Sequence, residues 1–117
     1  LSVSCHLQYF FEGLRALGPV AVLLIGGHLA VEDSPDYLAS AQGGVWLEGP
    51  RHATKNTHGT GCSLSAALAT QLALTEEVEP AVLAAKTYVS KAIAASDDLT
   101  VGKGHGPIHH FHGFKPA

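Results

Sequence analysis

Hydrophobic positions recur at helical spacing in three stretches of the chain. In residues 1–17, Leu7, Phe10, Phe11, Leu14 and Leu17 fall at i, i+3, i+4, i+7 and i+10, one stripe of an amphipathic helix. Ser4 stands where an N-cap belongs, and Gly18-Pro19 stands where a helix must stop. A second helix is predicted directly after Gly61, with Leu64, Ala67, Leu68, Gln71 and Leu72 on one face. A third follows over residues 81–93. Its stripe is Val82, Ala85, Val89 and Ile93, with Lys86 and Lys91 outside it. Pro80 suits the first turn of that helix, and Glu76 and Glu77 read as its solvated opening, near the positive end of the dipole.

Between the first two helices the period changes. Residues 20–25 form an unbroken apolar run, which suits a strand covered on both faces, as in a parallel sheet under helices. Asp33, Ser34, Pro35 and Asp36 are turn chemistry. Tyr37-Leu38-Ala39 and Val45-Trp46-Leu47 flank Gln42-Gly43-Gly44 and predict a hairpin. Trp46 reads as packed on that hairpin or as a stacking surface for a ligand ring. Helices interleaved with strands make an α/β architecture.

Bulk properties narrow the picture. A chain of 117 residues is at most one domain. A net charge of −3 with no basic stripe argues against nucleic acid as a partner. No apolar run reaches the length of a membrane span, and no signal peptide is evident. The two cysteines, Cys5 and Cys62, do not make a disulfide framework and read as free thiols in a reducing cytoplasm.

The chemistry concentrates in residues 54–68, T-K-N-T-H-G-T-G-C-S-L-S-A-A-L. Gly59 and Gly61 flank Thr60 immediately before the second helix. Glycines let an anion approach the backbone, and a helix N-terminus meets it with unpaired N–H groups and a positive field. Phosphate is the usual guest at such a place. Cys62 falls in the first turn, where the same field favours thiolate; the alternative is a small buried hydrophobe. The loop lacks the G-K-[ST] of the Walker type and the third glycine of the dinucleotide fingerprint. Gly26, Gly27 and His28 leave the carboxyl end of the first predicted strand, the edge where open α/β sheets bind ligands. His28 reads equally as a ligand contact or a loop cap. Arg51 reads as a bidentate phosphate ligand or a surface ion pair. The tail holds four of the eight histidines, His105, His109, His110 and His112. A transition-metal site is one reading of them, without the Cys or carboxylate neighbours that would support it.

The run N-T-H-G-T-G-C before a helix resembles the C-terminal signature of the phosphomethylpyrimidine kinases of thiamine biosynthesis, in the ribokinase-like superfamily. Three further pieces agree in order. Residues 20–28, V-A-V-L-L-I-G-G-H, resemble the family's strand ending in K-G-G-H; residues 81–93 resemble its next helix; residues 101–111, V-G-K-G-H-G-P-I-H-H-F, resemble its closing segment. Arg51, Thr54 and Asn56 also fill the family's R-x-x-T-x-N pattern. The likeness covers nearly the whole chain but only about the latter half of a complete member. With Leu1 at the start and no Met anywhere, the expectation is the C-terminal portion of one kinase domain, residues 1–117, without the N-terminal portion.

The resemblance implies a ribokinase-like three-layer αβα domain with a short β-hairpin. It implies phosphorylation of hydroxymethylpyrimidine and its monophosphate with ATP and Mg2+. Cys62 would be the catalytic base. Gly59, Thr60 and Gly61 would form the phosphate-binding anion hole, and Arg51, Thr57, Gly27 and His28 would bind nucleotide. The third helix would lie beside the nucleotide base. The resemblance accounts for G-H-G-P without a metal, and no metal ligand is assigned. Relatives usually carry Lys, which helps hold nucleotide phosphates, where this chain has Ile25. The alternatives are a pyridoxal or pyridoxine kinase of the same branch and a non-catalytic phosphate-binding fragment. Expected partners are a small pyrimidine substrate and ATP, with no nucleic acid and no membrane. The chain would form a homo-oligomer (dimer) or need its missing N-terminal half.

Overall fold

A computed structural model describes residues 3–26, 35–48 and 58–114, with the side chains of residues 3–8 left aside. The chain divides into two compact units, Leu1–Arg51 and His52–Ala117.

The first unit opens with α1, Val3–Ala16. Because the helix begins at Val3, Ser4 lies inside the first turn and is not the N-cap expected from sequence. The Gly18 stop is confirmed. Its backbone turns to φ 127°, which glycine alone adopts without strain, and its N–H bonds the Arg15 carbonyl at 3.0 Å. Three strands follow: β1, Ala21–Leu24, β2, Asp36–Ser40, and β3, Gly43–Leu47. They form one sheet in the order β1-β2-β3, and both pairings are antiparallel. The expected doubly covered parallel strand is therefore corrected among the described residues. All four residues of β1 are half-buried, and the strand pairs from Ala21↔Ser40 to Leu24↔Tyr37. An apolar run reports burial, not the direction of the neighbour that buries it.

Phe11, Tyr37 and Ala39 form the core of this unit, with Leu14, Val22 and Leu24 packed against it. The Phe11 and Tyr37 rings stack at 4.9 Å, and Tyr37 meets the edge of Trp46 at 4.7 Å. Phe10 and Leu17, placed on the same stripe by spacing, are exposed. The predicted hairpin is β2–β3, in register from Asp36↔Leu47 to Ser40↔Gly43. Gly44 is required there: a Cβ on it would overlap the Tyr37 hydroxyl. Asp36, the last residue of the predicted turn, starts β2, and its Oδ1 accepts the Gly26 N–H at 2.9 Å.

The second unit is a pair of helices and a tail. α2 spans Thr60–Thr75 and α3 spans Val78–Ala94. Two residues join them. Glu76 is the C-cap of α2, in the left-handed conformation (φ 60°), with its N–H on the Leu72 carbonyl at 2.9 Å. Only Glu77 opens α3, so the two acidic residues divide between two helices. The inward stripe of α3 is Ala81, Val82, Ala85, Val89 and Ala92. Ile93, expected on that stripe, is half-buried. On α2 only Leu64 is buried; Ala67, Leu68 and Gln71 are half-buried and Leu72 is exposed. Ser96–Asp98 makes one 3-10 turn after α3.

Candidate anion-binding turn at the start of α2

The turn is built from backbone. Gly59 is the N-cap of α2 with φ 83° and ψ 9°, and no side chain caps this end. A side chain at Gly59 would meet open space but would carry the left-handed strain. The first bond of the helix runs from the Ser63 N–H to the Gly59 carbonyl at 2.9 Å. By helical geometry, the N–H groups of Gly61 and Cys62 therefore have no acceptor one turn back. Gly61 has nothing within 4 Å of where a Cβ would sit, so the approach is open on that side. Cys62 is a free thiol and exposed. It thus sits at the mouth of the turn; the small-hydrophobe alternative requires burial, which it does not have. The Ser65 hydroxyl bonds the Gly61 carbonyl at 3.1 Å and tightens the first turn.

His58, on the entry side of the turn, is held by the tail. The His58 N–H bonds the Gly106 carbonyl at 3.0 Å, and His58 and Pro107 form a parallel bridge. Gly106 and Ile108 are buried. Further along, the His109 N–H bonds the Ala92 carbonyl at 2.9 Å, and the Tyr88 hydroxyl donates to the His110 carbonyl at 2.8 Å. Alanines of α2 leave a groove of about 430 Å³ beside α3, lined by Ser63, Ala66, Thr70, Gln71, Tyr88 and His110. It begins one residue past Cys62.

Of the residues expected at the site, Gly59, Thr60, Gly61 and Cys62 come together at this turn. Arg51, Thr57, Gly27 and His28 lie outside the described residues, as do Thr54 and Asn56. Among the described residues, no group of three or more His, Cys, Asp or Glu could hold a metal ion. The tail histidines have other settings: the His112 ring lies 5.1 Å from that of Tyr88, and His109 is tied to α3 through its backbone. Also among the described residues, no helix is long and apolar enough to cross a membrane. Tyr88 and Ile108 were not singled out by sequence. The adjacent Gly106 and Pro107 marked a break in helix, but nothing in the sequence shows which strand the break lies against.

Known proteins place this chain in a family. The family model for phosphomethylpyrimidine kinase matches residues 5–109. The chain belongs to the phosphomethylpyrimidine kinase family. It is 50% identical over 101 residues to the hydroxymethylpyrimidine/phosphomethylpyrimidine kinase of Escherichia coli, a match covering 86% of this chain and 38% of that relative. The chain thus spans well under half the length of that relative. Among solved structures, it is similar to the ADP complex of Bacillus subtilis pyridoxal kinase, with a TM-score of 0.82 and 32% identity. That likeness covers 96% of this chain and 42% of the other. It is also similar to the Staphylococcus aureus pyridoxal kinase in complex with AMP-PCP and pyridoxal, with a TM-score of 0.83 and 25% identity, covering 94% of this chain and 40% of that one. The fold is therefore ribokinase-like α/β, as the sequence implied.

Proposed function

We propose that this chain is the C-terminal portion of a single ribokinase-like kinase domain whose complete form phosphorylates hydroxymethylpyrimidine and its monophosphate, with ATP as donor. The observation that carries the reading is the uncapped glycine turn at the start of α2, with an exposed thiol in its first turn, in a chain half identical to a kinase of that activity. Pyridoxal or pyridoxine phosphorylation is the second reading. It is favoured by the two solved structures, but at 32% and 25% identity it has less support.

The turn fits the chemistry. Phosphoryl transfer needs positioning and charge neutralisation more than covalent help from the protein. ATP would supply the phosphoryl group, and magnesium would come with it; no side chain of this chain is assigned to the metal. The backbone N–H groups of Gly59, Thr60, Gly61 and Cys62 donate to the oxygens of the transferred group. Being fixed by the helix, they need no rearrangement as charge develops. Cys62 as thiolate accepts the proton of the substrate hydroxyl, so the oxygen attacks as it loses its hydrogen. The groove beside α3 would take the nucleotide base. Arg51, Thr57, Gly27 and His28 would add contacts to the nucleotide. Ile25, exposed just past the end of β1, stands where the resemblance places a lysine that helps hold nucleotide phosphates. In this reading the chain forms a homo-oligomer or needs the segment of its relatives that it does not cover.

The test is a chimaera in which this chain replaces the matching segment of the E. coli relative. It should phosphorylate hydroxymethylpyrimidine in preference to pyridoxal. Cys62→Ala in that chimaera should lower kcat by about 10²–10⁴-fold, the usual scale of general-base catalysis, with little change in KM for ATP. An undiminished kcat would remove Cys62 from the base role. A folded chimaera that binds ATP without turnover would leave a non-catalytic phosphate-binding module.

A further inference from the structure

We propose that the tail segment 106–112 is a positioning clamp for the anion-binding turn, and that Tyr88 of α3 is the positioning residue that closes it. The inference rests on the phosphoryl-transfer reading of that turn. The geometry forms one continuous path. The Tyr88 hydroxyl donates to the His110 carbonyl at 2.8 Å, and its ring lies 5.1 Å from that of His112. The His109 N–H bonds the Ala92 carbonyl at 2.9 Å, so two successive tail residues are tied to α3 from opposite backbone groups. Ile108, 1% exposed, anchors the segment. Two residues earlier, the Gly106 carbonyl accepts the His58 N–H at 3.0 Å, and His58 immediately precedes Gly59.

Such a clamp answers a physical need. Gly59 is left-handed and has no side chain to restrain it, and α2 has no side-chain cap. A glycine-rich turn of this kind gains its donor geometry at a conformational entropy cost. Within the described part of this unit, the His58–Gly106 bond and the His58–Pro107 bridge are what fix the chain on the entry side of the turn. The helix fixes it on the exit side. The Tyr88 hydroxyl donates to the tail and not to the turn, so Tyr88 acts through the tail. The same tail motif that a metal reading would have claimed thereby acquires a backbone role.

Two measurements test this. The first is amide hydrogen exchange on the 117-residue chain. Tyr88→Phe should speed exchange at His58 and Ser63 by about tenfold, as a local opening would. Thr87→Val, which removes a comparable hydroxyl bond to the Leu83 carbonyl one residue away, should not. Exchange altered only at residues 109–112, or a wild-type His58 amide without protection, would overturn the clamp. The second is kinetics in the chimaera described above. Tyr88→Phe should lower kcat about tenfold, since misplaced donors weaken the transition state, while KM for ATP stays near wild type. Tyr88 also lines the groove, so a rise in KM alone would confine it to nucleotide binding and overturn the positioning role. A wild-type chimaera without kinase activity would instead strike at the phosphoryl-transfer reading, and the exchange result would still decide the clamp.

Discussion

At the scale of single residues, Gly61 separates the needs of the helix from those of the anion. It is the second residue of α2, and open space surrounds its missing Cβ. An aspartate there would sit at the positive end of the dipole and stabilise the helix by about 0.3–1 kcal/mol. It would also place a carboxylate where the proposed phosphate would bind. Gly61→Asp is therefore expected to keep or raise thermal stability while abolishing ATP binding, measured by calorimetry with magnesium. Retained binding would show that the nucleotide does not use these amides. The glycine and cysteine positions were legible in sequence because each departs from what a plain helix start would use. Arg51 stayed ambiguous, since a guanidinium serves a phosphate or a carboxylate equally well until its neighbours are known.

At the scale of elements, two positions depend on backbone geometry that no apolar pattern reveals. Glu76 caps α2 with φ 60°, a conformation that costs a residue with a Cβ about 1 kcal/mol or more. Glu76→Gly should raise stability by about 1 kcal/mol, seen as a higher midpoint in urea. An unchanged or lower midpoint would mean that the glutamate side chain repays its strain. Gly44 is the converse case. Gly44→Ala would force the Tyr37 ring off its stack with Phe11, so the change should destabilise the first unit by about 1–3 kcal/mol, the scale of overpacking. Near-ultraviolet circular dichroism, which reports the Phe11, Tyr37 and Trp46 cluster, should fall with it. A stability and a spectrum matching wild type would refute the close approach. Sequence located the hairpin through Gln42-Gly43-Gly44. It missed that Glu76 ends one helix instead of opening the next, because the acidic preference of a helix start is a bias that a single αL residue overrides.

At the scale of the whole molecule, α2 is the element out of balance. It has no charged residue from Thr60 to Thr75, yet only Leu64 is buried, and Leu72 and Leu74 are exposed. A helix that is apolar nearly all round belongs in a core. The chain is therefore expected to self-associate in sedimentation experiments. Mixing it with the stretch of the E. coli relative that it does not match should convert those species to a one-to-one complex. A strictly monomeric chain, indifferent to that segment, would contradict the shared-domain reading.

The sequence by itself determined the three helices, the hairpin, the α/β class and the glycine turn before α2. Each of these is set by local periodicity or by glycine and proline positions, which act within a few residues. Tertiary structure alone decided the rest. The antiparallel partner of β1 depends on which strand comes beside it, and apolar residues satisfy either direction. The exposure of Phe10, Leu17 and Leu72 depends on how wide a partner each stripe meets. The contact of Gly106 with His58 joins segments nearly fifty residues apart in the chain, through backbone groups that every residue possesses. A hydrogen bond between main-chain atoms leaves no mark on side-chain identity, so the support of the glycine turn before α2 appears only when the chain is folded.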